Sequence, residues 1–121
     1  MRKQALIVDD CETTRRMVSM YLKSAGFSTV QAENGLDALE KLAQESVDLV
    51  VTDLNMPRMD GLALTKSIRS EVRYAGMPIV MLTTEGDQLE RDKGLEAGVS
   101  VYMTKPVTQK RLSDVAKTLT T

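Results

Sequence analysis

Acidic, hydroxyl and basic side chains directly follow four short apolar runs of this sequence. Asp9 and Asp10 follow the first run, Asp53 the third, Thr83 the fourth and Lys105 the fifth. If these runs are parallel strands of one sheet, their carboxyl ends meet at the edge where open α/β sheets bind ligands. Three crowded carboxylates repel one another, and a single lysine leaves the group net negative. A hard divalent cation with oxygen ligands would neutralise them, so the pattern predicts a Mg²⁺ site, with Mn²⁺ as the other candidate.

Helix capping is the simpler explanation for any one of these residues. Asp and Thr directly after a strand are common N-caps, whose side chains accept a backbone hydrogen bond. Asp9 or Thr84 alone would therefore indicate little. Capping accounts poorly for an acidic pair, a further aspartate, a threonine and a lysine at the ends of four core strands. We interpret the set as a functional site.

Short β-rich apolar runs alternate with longer helical patterns along the whole chain. This alternation is typical of a parallel sheet with helices on both faces. No linker or repeat interrupts it and 121 residues suit one domain, so we predict a single domain over residues 1–121. The predicted strands are Ala5–Val8, Ser28–Ala32, Asp48–Thr52, Ile79–Leu82 and Ser100–Thr104.

Five helices are predicted from apolar residues that recur at helical spacing. Gly26 ends the first helix, Asn34 and Gly35 open the second, and the third begins at about Gly61. The fourth, over residues 87–97, is the most polar. The residues expected to face the core are Met17, Val18, Tyr21, Leu22 and Ala25, then Leu36, Leu39, Leu42 and Ala43, then Leu64, Ile68 and Val72, and finally Leu112, Val115, Ala116 and Leu119.

Composition excludes several classes of protein. The chain has no histidine, which removes Ser-His-Asp and Cys-His relays, paired-histidine zinc motifs and phosphohistidine carriers. With 16 basic and 17 acidic residues and few aromatic rings, it offers neither a phosphate-neutralising patch nor a stacking platform for nucleic acid. No apolar stretch approaches the roughly 20 residues that span a bilayer. The single cysteine, Cys11, fits a reducing compartment, so a cytoplasmic protein is expected.

The chemically active residues resemble those of the response-regulator receiver domains of two-component signalling, in the same order and over the whole chain. The segments that carry the resemblance are Asp9-Asp10, like the acidic pair; Asp53-Leu54-Asn55-Met56-Pro57 with Met59-Asp60-Gly61, like the phosphoacceptor loop; Thr83, like the switch hydroxyl; and Lys105-Pro106, like the basic dipeptide. The resemblance implies a flavodoxin-like, doubly wound parallel sheet of five strands in the order 2-1-3-4-5, with five helices.

The resemblance also implies a role for each acidic residue. Asp53 would be the nucleophile that takes a phosphoryl group from the phosphohistidine of a histidine kinase. The domain would thereby catalyse its own phosphorylation, and later its dephosphorylation. Asp10 and Asp53 would hold Mg²⁺ directly and Asp9 would hold it through water, while the main-chain carbonyl of Asn55 would complete the protein ligands.

Three further residues would bind the phosphoryl group or convert phosphorylation into a signal, by the same resemblance. Lys105 and Thr83 would each bind a phosphoryl oxygen. Movement of Thr83 would let Tyr102 rotate inward and change a partner-binding face formed by the fourth helix, fifth strand and fifth helix, which includes Arg91 and Val99. The alternative for Tyr102 is a half-buried ring on an edge strand.

Asn55 and Glu85 are expected to tune the lifetime of the phosphoryl group, because in this family the residues at these two positions set the rate of water attack. Their polar and acidic types resemble the stand-alone chemotaxis regulators and indicate a short-lived state. The alternative for Glu85 is a solvated loop acid. The family also predicts a cis peptide bond between Lys105 and Pro106.

Chemotaxis is the favoured output, with a motor-switch protein as the partner of a monomeric regulator. The alternatives are a phosphorelay shuttle, a phosphate sink, or a receiver from a larger multidomain regulator or hybrid kinase. A flavin carrier of the same architecture is disfavoured because Asp9, Asp10 and Glu12 would repel its phosphate. An aspartyl-phosphate phosphatase would need a second carboxylate where this chain has Asn55.

Overall fold

The computed structural model describes residues 2–84 and 88–121, in which five strands alternate with five helices as predicted. A short 3₁₀ helix, Val72–Tyr74, precedes the fourth strand. None of the helices in these residues is long and apolar enough to cross a bilayer. The strands are β1 (Gln4–Val8), β2 (Ser28–Ala32), β3 (Leu49–Asp53), β4 (Ile79–Thr83) and β5 (Val101–Thr104), and the helices are α1 (Glu12–Ser24), α2 (Gly35–Gln44), α3 (Gly61–Arg69), α4 (Gln88–Ala97) and α5 (Gln109–Leu119).

The strands form one parallel sheet in the order β2-β1-β3-β4-β5, which confirms the order implied by the resemblance. Its register places the carboxyl ends of neighbouring strands side by side. Val8 lies beside Thr52, and Asp53 lies beside Leu82. The residues that follow β1, β3, β4 and β5 therefore share one edge of the sheet, as the sequence predicted.

Successive side chains of β1 belong to different apolar cores. Ala5 and Ile7 pack in a cluster that includes apolar residues of α1 and α5, whereas Leu6 and Val8 pack in a cluster that includes residues of α2 and α3. This division follows from the two-residue period of a strand. Burial of each leucine, isoleucine or valine side chain stabilises the fold by about 1.5–3 kcal/mol, so apolar packing on both faces holds the sheet that positions the site.

Val72 does not face the core, contrary to the helical spacing that predicted it. α3 ends at Arg69, and Val72 in the 3₁₀ helix is 92% exposed. The Arg69 guanidinium donates to the carbonyl oxygens of Tyr74 and Gly98, at 3.0 Å each. These bonds turn the chain back after α3, and Tyr74 takes the core position instead, its hydroxyl donating to the Leu42 carbonyl at 3.0 Å.

Helical spacing also placed Ala43 wrongly, because this residue is exposed near the end of α2. Leu36 is a further residue that helical spacing placed wrongly. It is 49% exposed, while Gly35, Ala38 and Leu42 form the buried face of α2. Gly35 packs so closely on Met59 that an added Cβ would lie 2.5 Å from the Met59 Cγ. That contact turns the helix so that Leu36, one residue further along, points toward solvent.

Gly61 allows the first turn of α3 to lie against the end of β3. Its N–H donates to the Leu54 carbonyl at 2.9 Å. A Cβ at this position would overlap the Asp53 carbonyl oxygen and lie 2.6 Å from the Met81 Sδ. Only glycine fits at this position, because the backbone at the end of β3 lies too close to leave room for a side chain.

Replacing Gly61 with alanine should destabilise the fold by about 1–3 kcal/mol, the usual cost of forcing extra volume into a packed site. Gly76→Ala is the matched control, because a Cβ there meets nothing within 4 Å and its φ lies outside the left-handed region. The control should be neutral or slightly stabilising. Urea unfolding of both variants checks this, and equal stabilities would contradict the close-packing explanation.

Candidate functional site

Three carboxylates meet at the carboxyl edge of the sheet. Asp9, Asp10 and Asp53 each offer an oxygen, and these oxygens lie within 4.8 Å of one another. Asp9 is 3% exposed and Asp53 is 8% exposed, whereas Asp10 faces solvent. The structure thus brings together the acidic residues that the sequence analysis grouped.

Lys105 lies among these carboxylates. Its Nζ is 2.8 Å from Asp53 Oδ1 and 3.4 Å from Asp9 Oδ2. Its backbone N–H donates to the Thr83 carbonyl at 2.7 Å, which extends the pairing of β4 with β5 to the lysine. The bond from Lys105 to Pro106 is cis, as the resemblance implied. The lysine side chain is thus held against the aspartate that the family pattern identifies as the phosphoacceptor.

Burial and neighbouring charges shift the pKa values of two residues of the cluster. Burial raises the pKa of Asp53, assisted by the charges of Asp9 and Asp10, although the hydrogen bond and charge of Lys105 oppose the shift. Burial works to lower the pKa of Lys105, but its hydrogen bond to Asp53 and the charges of Asp53 and Asp9 outweigh burial and raise it. Lys105 therefore stays an ammonium, and Asp53 becomes a more basic carboxylate than an exposed aspartate.

Capping does not explain the cluster. The N-caps of α1, α2, α3 and α5 are Cys11, Asn34, Asp60 and Thr108. The side chains of Asn34, Asp60 and Thr108 each accept a bond from a backbone N–H of the first helical turn. The residues at the strand ends are thus separate from the caps that begin these four helices, which favours the functional interpretation.

The remaining predicted residues lie around the cluster at different depths. Thr83 is fully buried at the end of β4, and Asn55 is exposed two residues after Asp53. Tyr102 is half-buried on β5, packed against a small cluster that contains Met81 and Val99. Glu85 and the side chain of Arg91 lie outside the described residues.

Val101 and Met103 pack on the side of the sheet opposite to Tyr102, as strand alternation predicted. Val99 is 6% exposed, so its prediction as a partner-contacting residue is wrong for this conformation. It belongs to the small buried cluster with Leu54 and Met81 against which Tyr102 packs.

Arg15 is a site neighbour that sequence reasoning missed. Its Nη1 donates to the Asp9 carbonyl at 2.9 Å, from the second turn of α1. The sequence shows a second arginine directly after it, Arg16, which instead pairs with Glu12 at 2.8 Å on the surface. Arg16 stands four residues after Glu12, a spacing typical of an ion pair on a helix surface. The contact of Arg15 with the Asp9 carbonyl depends on the packing of α1 on the sheet, which no local pattern shows.

The donor set suits a hard divalent cation. Carboxylate oxygens are the ligands that Mg²⁺ takes in proteins, usually one or two of them with water completing the shell. Two of the carboxylates are nearly buried and one is open to solvent, so the cluster can supply charge while leaving room for water and for a substrate oxygen. The residues present therefore fit a Mg²⁺ site.

Asp53→Asn should make the fold more stable than wild type at neutral pH. The folded state holds the Asp53 proton more tightly than the unfolded chain does, so stability falls as pH rises from the unfolded to the folded pKa. The amide never ionises and avoids that loss. Its advantage should shrink as pH drops toward about 4, the unfolded pKa range of aspartate.

Urea unfolding at the two pH values measures this difference. Asp114→Asn is the control, because its exposed carboxylate pairs with Lys110 at 3.2 Å on the surface of α5 and its loss should cost at most about 0.5 kcal/mol. A stability gap for Asp53→Asn that does not depend on pH would contradict the raised pKa.

The chain was compared with known proteins. The response regulator receiver domain family matches residues 5–117. Chemotaxis protein CheY1 of Helicobacter pylori is 43% identical over 111 residues, covering 90% of each chain, and a Campylobacter jejuni CheY homologue is 43% identical over 119 residues, covering 93% of this chain and 92% of the relative. The structure of Vibrio cholerae chemotaxis protein CheY4 superposes with a TM-score of 0.93 at 32% identity, covering 98% of this chain and 99% of that one. The chain therefore belongs to the response-regulator receiver domain family, with a CheY-like fold.

Proposed function

We propose that this receiver accepts a phosphoryl group on Asp53 from the phosphohistidine of a histidine kinase, in a Mg²⁺-dependent reaction. The observation that carries the proposal is the position of Asp53, within 4.8 Å of the acidic pair and 2.8 Å from the Lys105 Nζ. Both reactants in such a transfer are anionic, so the site must supply positive charge. A lone buried aspartate could not do this.

Asp53 acts as the nucleophile. Its carboxylate oxygen forms the new O–P bond while the P–N bond of the phosphohistidine breaks. A raised pKa makes this oxygen a more basic donor of electrons, and the Lys105 ammonium at 2.8 Å favours its ionised form. The chain has no histidine, so the phosphohistidine that donates the group must belong to another protein.

Asp10 and Asp53 would hold Mg²⁺ directly and Asp9 would hold it through water, with the Asn55 carbonyl as a further ligand. Bound to these residues, Mg²⁺ would supply the positive charge that offsets the charge of the phosphoryl group. Asp9 is also the second partner of Lys105, at 3.4 Å, so it fixes the ammonium as well as contributing negative charge.

Lys105 and Thr83 bind the phosphoryl oxygens once the group is attached. The Lys105 ammonium already contacts the Asp53 oxygen at 2.8 Å, so a small movement brings it to an oxygen of the added group. Thr83 lies at the end of β4, and its carbonyl is bonded to the Lys105 N–H at 2.7 Å. The two residues are therefore linked through the backbone and respond to the same group.

Tyr102 transmits the change to a partner-binding face on α4, β5 and α5. It lies beside Met81 in the sheet, two residues before Thr83 on β4. Withdrawal of the Thr83 side chain toward the phosphoryl group opens space above this pair, and the half-buried ring rotates inward. The chemotaxis relatives support a motor-switch protein as the target.

Asn55 and Glu85 set the lifetime of the phosphoryl group in this proposal. Asn55 is exposed beside the acidic cluster, where its amide can orient an attacking water. A short-lived adduct suits a chemotaxis regulator better than a long-lived relay intermediate. A receiver domain of a histidine kinase from Syntrophus aciditrophicus has the same fold, with a TM-score of 0.90 at 30% identity, so relay, phosphate-sink and multidomain roles are the alternatives.

Acetyl phosphate tests the proposal directly. We expect intact-mass measurement to show one phosphoryl adduct that requires Mg²⁺ and is absent in Asp53→Asn, with Asp114→Asn as the control carboxylate. An adduct that survives prolonged chromatography would contradict the short lifetime assigned to Asn55 and Glu85. Wild-type protein that stays unmodified with donor and Mg²⁺ would overturn the proposal.

Thr83→Ala tests the switch separately from the chemistry. Beryllofluoride, which mimics the phosphoryl group, should shift the Tyr102 amide resonance in wild type, and this shift should be lost or strongly reduced in Thr83→Ala. Thr118→Ala, which removes an exposed hydroxyl from α5, should respond as wild type does. A full Tyr102 shift in Thr83→Ala would show that the hydroxyl does not drive the ring.

A further inference from the structure

Arg15 joins the segment that bears the acidic pair to the neighbouring strand. Its Nη1 donates to the Asp9 carbonyl at 2.9 Å, and its Nε donates to Gln31 Oε1 at 3.0 Å. Gln31 lies on β2, so a single guanidinium connects α1, the end of β1 and β2. The Asp9 N–H donates to the Ala32 carbonyl at 3.2 Å. Both backbone polar groups of Asp9 are therefore held from the β2 side.

The Asp9 carbonyl belongs to the planar peptide group that leads into Asp10. Fixing this plane sets ψ of Asp9 and φ of Asp10, and therefore the directions in which the two carboxylates leave the backbone. The effect is largest for Asp10. Its exposed side chain has no hydrogen-bond or ion-pair partner within residues 2–84 and 88–121, so its direction depends on the backbone.

We propose that Arg15 is a positioning residue for the divalent-cation site, one that acts through the Asp9–Asp10 peptide group and does not contact the metal ion. The inference rests on the proposed function, because it assumes that the acidic pair binds Mg²⁺. A planar guanidinium donates to two acceptors at once in a fixed geometry. Here one acceptor is on Asp9, directly after β1, and the other is on Gln31 of β2. The guanidinium therefore holds the Asp9 carbonyl in a fixed position relative to the sheet.

Arg15→Met and Arg16→Met form a charge-matched pair of variants. Each removes one positive charge from the same region of α1, but the Arg16 side chain is 71% exposed and pairs with Glu12 at 2.8 Å, away from the acidic cluster. Removing a cation near acidic ligands should slightly strengthen Mg²⁺ binding, because the removed charge no longer repels the metal ion. A positioning role predicts the opposite sign for Arg15→Met, so the two explanations separate cleanly.

Calorimetric titration of the full chain with Mg²⁺ alone is the first measurement. Arg15→Met should bind about tenfold more weakly than wild type, the lower end of the loss on removing an outer partner of a metal ligand. Arg16→Met should bind as wild type or slightly tighter. Equal affinities of the two variants would overturn the positioning role, and wild type that fails to bind Mg²⁺ would overturn the metal site and this inference together.

Hydrogen exchange of the metal-free protein provides a second readout. The Cys11 amide donates to Asp9 Oδ1 at 2.9 Å, so it reports the order of the acidic segment without any metal ion. Its exchange should be faster in Arg15→Met and unchanged in Arg16→Met. Unchanged exchange in both variants would contradict the proposal.

Two milder variants guard against loss of folding. Gln31→Leu keeps the guanidinium but removes its hydrogen bond to β2. The Mg²⁺ affinity of this variant should therefore lie between those of wild type and Arg15→Met. Arg15→Lys keeps the charge and can donate one bond to the Asp9 carbonyl, so it should restore part of the affinity lost in Arg15→Met. A Lys variant no better than Met, together with an unaffected Gln31→Leu, would overturn the proposal.

Discussion

The arrangement of this site depends on repulsion among three carboxylates held within 4.8 Å of one another. Two of them are nearly buried, so water cannot screen the repulsion fully. The Lys105 ammonium offsets part of it at 2.8 and 3.4 Å, yet the group stays net negative. Burial is the main cause of the raised pKa of Asp53, with the charges of Asp9 and Asp10 adding to it, whereas the hydrogen bond and charge of Asp53 together with Asp9 raise the pKa of Lys105. The net negative charge of the group is the reason why a divalent cation suits the site.

An unfavourable cluster of charge requires a rigid support, and the parallel sheet provides it. Asp53 is the last residue of β3 and Asp9 follows β1 directly. Strands that are buried on both faces therefore fix the backbone positions of both aspartates. Gly61 lets α3 pack against the Asp53 backbone without steric overlap. The loop between them turns at Arg58, whose φ of 69° lies in the left-handed region, a conformation that non-glycine residues adopt rarely and often near functional sites.

The same backbone connects the charged edge to a surface. Thr83 and Lys105 are joined by a hydrogen bond at the end of β4 and β5, and Tyr102 lies beside Met81 a short distance along the same two strands. In the proposed function, a change at the phosphoryl position would reach Tyr102 through two adjacent strands and one small apolar cluster. Coupling of this kind needs an element with two arrangements, and the proposal assigns that part to the half-buried ring of Tyr102.

The sequence by itself determined the class of fold, the sheet edge that bears the chemistry and the acidic, basic and hydroxyl residues at that edge. These follow from local signals, because strand periodicity and the residue after each strand can be read without knowing any distant contact. The order of the strands came from family resemblance, since periodicity does not encode which strands are neighbours.

Contacts between residues far apart in the sequence decided the rest. Val72 and Leu36 have the spacing of core residues, but the bonds of Arg69 and the packing of Gly35 on Met59 turn them to solvent. Arg16 stands four residues after Glu12, a local spacing that allows their ion pair, whereas the contact of Arg15 with the Asp9 carbonyl depends on how α1 packs on the sheet. Helical spacing defines a face only to within about one residue, whereas a hydrogen bond needs a defined donor and acceptor, so these assignments require the tertiary structure.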